Sequence, residues 1–158
     1  MLSEAIQTSV GSRFSSVPRA LIPVGTNKTF KHTIDIYLKD SNAYANTYFA
    51  RYFEWQGICR ERWFFQCISS DMLQAQGVFV TKRAHQEYVQ ETFPFQSVDC
   101  RLNTFDVKQC SFYLLFEFLV AGDTVSSGYQ QIVFARHDKR IQRLPFEVLS
   151  KMKEYEAA

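Results

Sequence analysis

The stretch that decides the fold runs from Ser41 to Trp63 and reads SNAYANTYFARYFEWQGICRERW. It opens with Ser, Asn and Ala, a turn composition in which short polar side chains can hydrogen-bond their own backbone. From about Tyr48 to Ser70 the chain has no proline, and apolar side chains recur three and four residues apart, at Trp55, Ile58, Cys59, Phe64, Cys67 and Ile68. Such a wide apolar surface predicts a helix that is buried by a wrapping sheet.

The residues around this helix predict strands. Apolar side chains fall on alternate positions from Phe30 to Leu38, the period of a strand with one buried face. Four strand-like segments follow Gly77, at about residues 78–80, 98–105, 111–120 and 124–134, with hairpin turns at 108–109 and 121–123. The 111–120 segment is partly apolar on both faces and should be central. A short amphipathic helix begins near Pro145. This order predicts an α+β fold, with an antiparallel sheet wrapped around a long central helix.

Length and composition predict one domain. The chain has 158 residues, of which 46% are hydrophobic, enough for a sizeable core over residues 28–158. Residues 1–27 mix Ser, Thr, Pro and Gly without a sustained period, so we expect a flexible N-terminal extension. A formal charge of +2 with no basic block argues against nucleic acid. We expect no membrane partner, because no apolar run approaches the roughly 20 residues of a bilayer span. Four cysteines without a C-x-x-C pair predict reduced thiols and a cytoplasmic protein.

Several chemistries lack their local signatures. The sequence has no G-x-S-x-G elbow, no H-E-x-x-H pair, and no G-x-G-x-x-G or Walker loop, which disfavours serine hydrolases, metalloproteases and nucleotide-binding enzymes. The histidines, His32, His85 and His137, are far apart and have no metal-ligand spacing. We therefore expect neither a metal nor a cofactor.

Two motifs carry a family resemblance. The string N-A-Y-A-N-T-Y-F at residues 42–49 and the string W-Q-G-x-C-R-E at residues 55–61 resemble the active-site turn and central helix of hotdog-fold thioesterases of the 4-hydroxybenzoyl-CoA type. Those proteins carry D-x-x-G-x-V-x-[FY] at the turn, so Asn42 stands where most of them have a catalytic aspartate. With asparagine there and the second motif, the chain is most similar to thioesterases of enediyne polyketide biosynthesis. The resemblance covers about residues 28–140 and implies a single hotdog domain.

The resemblance also implies site residues. In the enediyne thioesterases the matching asparagine and arginine form the site, which gives those roles to Asn42 and Arg60, with Tyr52 as a third residue lining the pocket. Asn42 and Arg60 lie 18 positions apart, across a turn and the first turns of a helix, a spacing that lets both reach one pocket. Thioester hydrolysis needs an oriented water and a donor for the carbonyl oxygen, but little acid help for a thiolate leaving group. Arg60 offers a permanent charge with several donors, whereas Asn42 cannot act as a general base.

Neighbouring residues complete the predicted site. We place the start of the central helix near Gln56, Gly57 and Ile58, whose backbone N–H groups and positive dipole end would face the developing oxyanion. Gly57 would let a backbone approach closely. Glu61 is an alternative base, although adjacent helix positions point about 100° apart, so that it and Arg60 should not face one pocket.

Simpler structural roles stay open for these residues. Asn42 could be a turn residue alone, and Arg60 could be an ion-pair partner of a neighbouring subunit. Asp40 and Glu54 are lesser candidates, expected as solvated carboxylates at the turn and the helix start. Cys59 has no nearby histidine in the sequence to activate it, which favours a place in the core.

The resemblance implies a substrate and partners. It points to hydrolysis of a polyene β-ketoacyl thioester from the acyl carrier protein domain of a polyketide synthase, with decarboxylation of the product as a further step. The substrate would be phosphopantetheine-linked, and the protein a homo-oligomer, dimer or tetramer, with sites between subunits. Alternatives are a general acyl-CoA thioesterase and a non-catalytic hotdog module that binds an acyl chain or a partner. Six basic residues could meet the phosphate or an acidic carrier, or be solvated charges: Lys82, Arg83, Arg136, Lys139, Arg140 and Arg143.

Overall fold

The computed structural model describes residues 28–157, so the predicted N-terminal extension, residues 1–27, lies outside the described residues. The chain forms strand β1, a short 3-10 helix, helix α1 continued by a π-helical turn, four strands and a final helix. In order these are β1 (Phe30–Asp35), the 3-10 helix (Leu38–Asp40), α1 (Arg51–Trp63), the π-helix (Phe64–Ile68), β2 (Val78–Tyr88), β3 (Ser97–Phe105), β4 (Ser111–Val120), β5 (Asp123–Ala135) and α2 (Phe146–Lys153).

The strands form one antiparallel sheet in the order β1-β3-β4-β5-β2. The predicted central position of β4 is therefore confirmed. Both predicted hairpins are present as well, and the β4–β5 turn places Ala121 and Gly122 at φ values of 50° and 85°. Two successive positive φ values match the right-handed twist of the flanking strands. The predicted α+β architecture is confirmed.

Strand β1 is shorter than predicted. It ends at Asp35, and the chain then turns into the 3-10 helix, which leaves Leu38 67% exposed instead of in the core. The Asp40 carboxylate stabilises this turn, because its Oδ2 accepts a hydrogen bond from the Tyr37 backbone N–H (2.9 Å). Only Ile36, of the apolar positions at this end, is fully buried.

Helix α1 packs on one face of the sheet. Its buried side chains are Tyr52, Trp55, Gln56, Cys59 and Trp63, and they meet the inward faces of β3, β4 and β5. The helix is not wrapped on all sides, because Ile58, predicted to be buried, is 45% exposed. The fold therefore leaves one side of the central helix uncovered in a single copy.

Helix α2 closes one end of this core. The Thr104 hydroxyl of β3 donates to the Met152 carbonyl (2.8 Å), and the Tyr155 ring packs edge-on against Trp63 at 5.7 Å. Val148 and Met152 are buried, as the amphipathic pattern predicts. Across residues 28–157, no helix is long and apolar enough to cross a membrane.

Candidate active site

Arg60 lies in the third turn of α1 and reaches across to the sheet. Its Nη1 donates to Thr81 Oγ1 on β2 (2.9 Å) and to Gln130 Oε1 on β5 (2.9 Å). Among residues 28–157, no acceptor bonds its Nε or Nη2. Burial lowers the pKa of the guanidinium and the neighbouring Glu61 opposes that shift, but arginine remains charged. Arg60 is thus a fixed cation with donors to spare.

A cavity of about 210 Å³ opens beside Arg60. Its walls are mainly apolar and aromatic, and its lining comes from the end of α1, the connection to β2 and the start of β4: Arg60, Glu61, Trp63, Phe64, Met72, Gln74, Gly77, Val78, Phe79 and Phe112. Glu61 and Arg60 both line this cavity, so Glu61 stays an alternative base.

Asn42 lies in an exposed turn before α1. Its Oδ1 accepts a hydrogen bond from the Tyr44 backbone N–H (2.8 Å), and its backbone N–H donates to the Asn46 carbonyl (2.8 Å). The carboxamide Nδ2 has no partner within the described part of the chain. Ala45 has φ of 62°, a left-handed conformation, at the position where the resembled motif has glycine.

Tyr52 connects the helix to that turn. Its hydroxyl lies 2.8 Å from Thr92 Oγ1, which donates in turn to Thr47 Oγ1 (2.7 Å). Because the Thr92 proton is used in that bond, Tyr52 is the donor to Thr92. Burial raises the pKa of the Tyr52 hydroxyl, which keeps the proton in place. Tyr52 is 2% exposed and anchors the Asn42 turn in this copy.

The structure does not bring Asn42 and Arg60 together within one chain. The Asn42 turn is fixed to Tyr52 at the start of α1, and Arg60 lies eight residues further along. That separation corresponds to about 12 Å along the helix axis. Asn42 lies at one end of α1, and the cavity beside Arg60 lies at the other.

The predicted helix start at Gln56, Gly57 and Ile58 is wrong. Helix α1 begins at Arg51, so these three residues lie in its interior, where backbone N–H groups bond to carbonyls one turn earlier. The early start is consistent with a first turn that needs no side-chain cap: the Arg51 and Phe53 N–H groups bond to the Tyr48 and Ala50 carbonyls. The Gln56 side chain instead enters the protein interior, where it is fully buried.

Comparison with known proteins assigns the family. A model of the thioesterase-like superfamily matches residues 36–153, which is most of the chain. The chain belongs to this superfamily. No curated protein matches the sequence.

Solved structures show the same fold. A dynemicin thioesterase, for which polyene binding is described, superposes with a TM-score of 0.76 at 22% identity and covers 83% of this chain and 99% of its own. A 1,4-dihydroxy-2-naphthoyl-CoA thioesterase from Synechocystis has a TM-score of 0.72 at 13% identity, covering 79% and 96%. A gentisyl-coenzyme A thioesterase has 0.70 at 17% identity, covering 79% and 99%. The thioesterase-like chain therefore has the hotdog fold.

The sequence did not identify the buried glutamines of this thioesterase-like protein. Gln56, Gln86 and Gln130 meet between α1 and the sheet and are 0%, 9% and 5% exposed. A signal was present, since Gln130 alternates in phase with the buried Ile132 and Phe134 on β5. Glutamine is mostly an exposed residue, so its position in the period carried the only information.

The lesser candidates have structural partners in the thioesterase-like domain. Asp40 is buried rather than solvated, and Arg51 lies near it, with Nε 3.7 Å from Oδ1. Glu54 pairs with the same Arg51 at 3.0 Å. Cys59 is fully buried, and its Sγ lies 4.0 Å from the Cys100 carbonyl, as expected for a core residue. No cluster of three potential metal ligands occurs in the described part of the chain.

Proposed function

We propose that this protein is a thioesterase that hydrolyses a polyene β-ketoacyl thioester carried by an acyl carrier protein, in enediyne-type polyketide biosynthesis. The observation that carries the proposal is the held cation at an aromatic cavity. Arg60 is fixed through Nη1 and keeps Nε and Nη2 unbonded within residues 28–157, beside walls built from Trp63, Phe64, Phe79 and Phe112. Aromatic walls suit a flat, conjugated acyl chain.

The chemistry follows from these groups. Water attacks the thioester carbonyl and loses a proton to solvent. The carbonyl oxygen that becomes negative is stabilised by Arg60, whose electrostatic effect is stronger because its side chain is partly buried. The sulfur leaves as a thiolate, whose conjugate acid has a pKa near 8.5, so no strong general acid is needed. The product is a β-keto acid, a class that loses carbon dioxide readily. Asn42 orients the water through its carboxamide and takes no proton.

Asn42 and Arg60 act together only if two copies supply them. Strand β2 is an edge strand of 11 residues, with Val78 and Val80 each more than 40% exposed. A long, exposed edge is a template for pairing with another strand. Two copies joined antiparallel through β2 would turn the Asn42 end of one copy toward the Arg60 end of the other. The protein is thus proposed to be a homo-oligomer, a dimer or a tetramer, with composite sites.

The basic turn at residues 136–143 is the proposed contact for the carrier. It holds four cations and one carboxylate: Arg136, Lys139, Arg140, Arg143 and Asp138. The turn is fixed to the cavity rim, because His137 Nε2 lies 2.8 Å from the Gln74 carbonyl and Gln74 lines the cavity. This position suits the phosphate of phosphopantetheine or an acidic carrier surface.

A general acyl-CoA thioesterase is the second candidate. The gentisyl-coenzyme A and 1,4-dihydroxy-2-naphthoyl-CoA thioesterases share the fold of this chain. Coenzyme A carries the same phosphopantetheine arm as an acyl carrier protein. Comparing one acyl group on coenzyme A and on a carrier protein separates the two candidates. A kcat/KM at least about 10-fold higher on the carrier supports the carrier assignment. Binding of both without turnover would indicate a non-catalytic module.

The decisive experiment is Arg60→Ala. Loss of one oxyanion donor lowers kcat by about 10² to 10³, measured by thiol release from an acyl thioester. Arg62→Ala is the matched control, because Arg62 is an exposed arginine on the same helix that does not line the cavity. If both variants hydrolyse as fast as the wild type, the proposed site is wrong.

A further inference from the structure

The Arg60 guanidinium is held by a chain of buried amides. Gln130 accepts from Arg60 with Oε1 and donates from Nε2 to Gln56 Oε1 at 3.1 Å. Gln56 Nε2 then donates to Gln86 Oε1 at 2.6 Å and to the His85 carbonyl at 2.9 Å. Three amides, from α1, β2 and β5, therefore link the cation to the interior of the sheet.

The cation fixes the direction of the chain. A guanidinium only donates, so Gln130 must present its oxygen to Arg60 and its nitrogen to Gln56. Gln56 must then present its own nitrogen to Gln86. Gln130 and Gln56 each have one orientation that satisfies both neighbours, and rotating either amide would place donor against donor. Gln86 ends the chain: its Oε1 accepts from Gln56, and its buried Nε2 has no partner among the described residues. The hydrogen bonds thus determine that Gln130 meets Arg60 with its Oε1, and which atom Gln56 presents to each of its neighbours.

The sheet is shaped to accept this chain. A Cβ atom at Gly128 would collide with the Gln56 amide, the Gln86 amide and the His85 carbonyl. The absence of a side chain at Gly128 gives the two amides their space. The close packing at Gly128 restricts the Gln56 and Gln86 side chains to the positions in which they bond to each other.

We propose that Gln130 is a positioning residue for Arg60, which it holds through the chain formed with Gln56 and Gln86. The proposal rests on the proposed function of Arg60 in thioester hydrolysis. Gln130 and Thr81 occupy both hydrogens of Nη1, which leaves the N–H groups of Nε and Nη2 for substrate. A guanidinium held on one edge cannot swing away as the oxyanion forms, and such preorganisation lowers the barrier. Gln130 itself touches no reacting atom.

The test is a double-mutant cycle with Gln130→Met. Methionine keeps the unbranched shape and removes both hydrogen bonds. The expected result is about a 10-fold fall in kcat on an acyl-carrier thioester, with KM changed less than about 2-fold. In the Arg60→Ala background the same change should cost less than about 2-fold further, because its effect passes through Arg60. Gln131→Met is the control, since Gln131 neighbours it on β5 and makes no bond to Arg60.

A second readout does not need activity. The side-chain ¹⁵N–¹H signals of Arg60, assigned by their loss in Arg60→Ala, should be resolved in the wild type and in Gln131→Met. In Gln130→Met they should merge, because only the single bond from Nη1 to Thr81 then restrains rotation of the guanidinium. If the wild type hydrolyses no thioester, the proposed function fails, and these signals alone decide the positioning role.

Two results would overturn the proposal. One is that Gln130→Met lowers kcat by the same factor in the Arg60→Ala background as in the wild type. The other is an Arg60 signal pattern in Gln130→Met that matches the wild type. If Gln130→Met does not fold, Gln130→Glu replaces it: the carboxylate retains the acceptor, so the signals should stay resolved while kcat falls as its charge offsets Arg60. Merged signals in Gln130→Glu would equally overturn it.

Discussion

Asn42 is the residue at which this chain departs from the aspartate of the motif it resembles. We predict that Asn42→Asp lowers kcat on the carrier-bound substrate, because the new carboxylate would offset the charge of Arg60 in a composite site. The fold should be unaffected, since an aspartate Oδ1 can accept the same hydrogen bond from the Tyr44 N–H. The measurement is kcat against pH, with no new low-pH limb expected.

Asn42→Ala is the comparison, because it removes the carboxamide without adding charge. It should cost somewhat less than Arg60→Ala. An Asn42→Asp variant as fast as the wild type would refute a mechanism without a carboxylate. So would loss of turnover in a folded Glu61→Gln variant, because Glu61 lines the cavity beside Arg60.

Ala45 carries backbone strain in the same turn. Its φ of 62° costs a non-glycine residue about 1 to 2 kcal/mol. Glycine would relieve this strain, but its larger loss of backbone entropy on folding offsets part of the gain. We predict that Ala45→Gly raises the free energy of unfolding by up to about 1 kcal/mol, measured by urea denaturation at fixed protein concentration. Ala43→Gly, in the same turn but without positive φ, should lower it. Equal losses in both variants would contradict this account.

At the scale of single residues, the sequence predicted correctly the positions that depend on local patterns. The turn at Asn42 and the buried Cys59 could be predicted, because turn composition and helical period act locally. The separation of Asn42 from Arg60 could not, since it depends on where helix α1 begins. That start depends on backbone bonds from Arg51 and Phe53, which leave no side-chain capping signal in the sequence.

At the scale of elements, the contact between α1 and the β2–β5 pair depends on Gly128. We predict that Gly128→Ala lowers the free energy of unfolding by about 2 to 3 kcal/mol, because the added methyl group meets the His85 backbone carbonyl, which cannot move aside. Gly57→Ala is the control, since apart from its chain neighbours and the adjacent helix backbone nothing in the described structure lies within 4 Å of the place its methyl group would take, and alanine favours a helix by about 1 kcal/mol. Thermal unfolding of both would measure the difference, and equal stability of Gly128→Ala and wild type would be inconsistent with this packing.

Strand β2 is longer than the sequence pattern predicted. The pattern suggested residues 78–80, whereas the strand runs to Tyr88. Its helix-facing positions beyond Phe79 include Thr81, Ala84 and Gln86, so apolar alternation stops although the strand continues. Periodicity detects burial against apolar neighbours, and here the buried neighbour is the Gln56 amide.

At the scale of the whole molecule, the uncovered side of α1 and the free edge of β2 call for a second copy. Phe53 and Ile58 on the helix are exposed, and so are Val78 and Val80 on the strand. Apolar surface and an open edge on adjacent elements are typical of an interface. Light scattering at micromolar concentration should therefore report a dimer or tetramer, and a monomer would count against the composite site.

Complementation between inactive variants tests that composite site directly. Asn42→Ala and Arg60→Ala are each predicted to be strongly impaired alone. If a site takes Asn42 from one copy and Arg60 from the other, a mixed dimer has one site with both changes and one with neither. Random mixing after reversible dissociation makes half of the dimers mixed, so about a quarter of wild-type activity should return. If Asn42 and Arg60 of one chain served the same site, every site would remain defective, and mixing would restore nothing. The baseline is the activity of a single variant taken through the same dissociation and mixing, because its subunits exchange without creating an intact site.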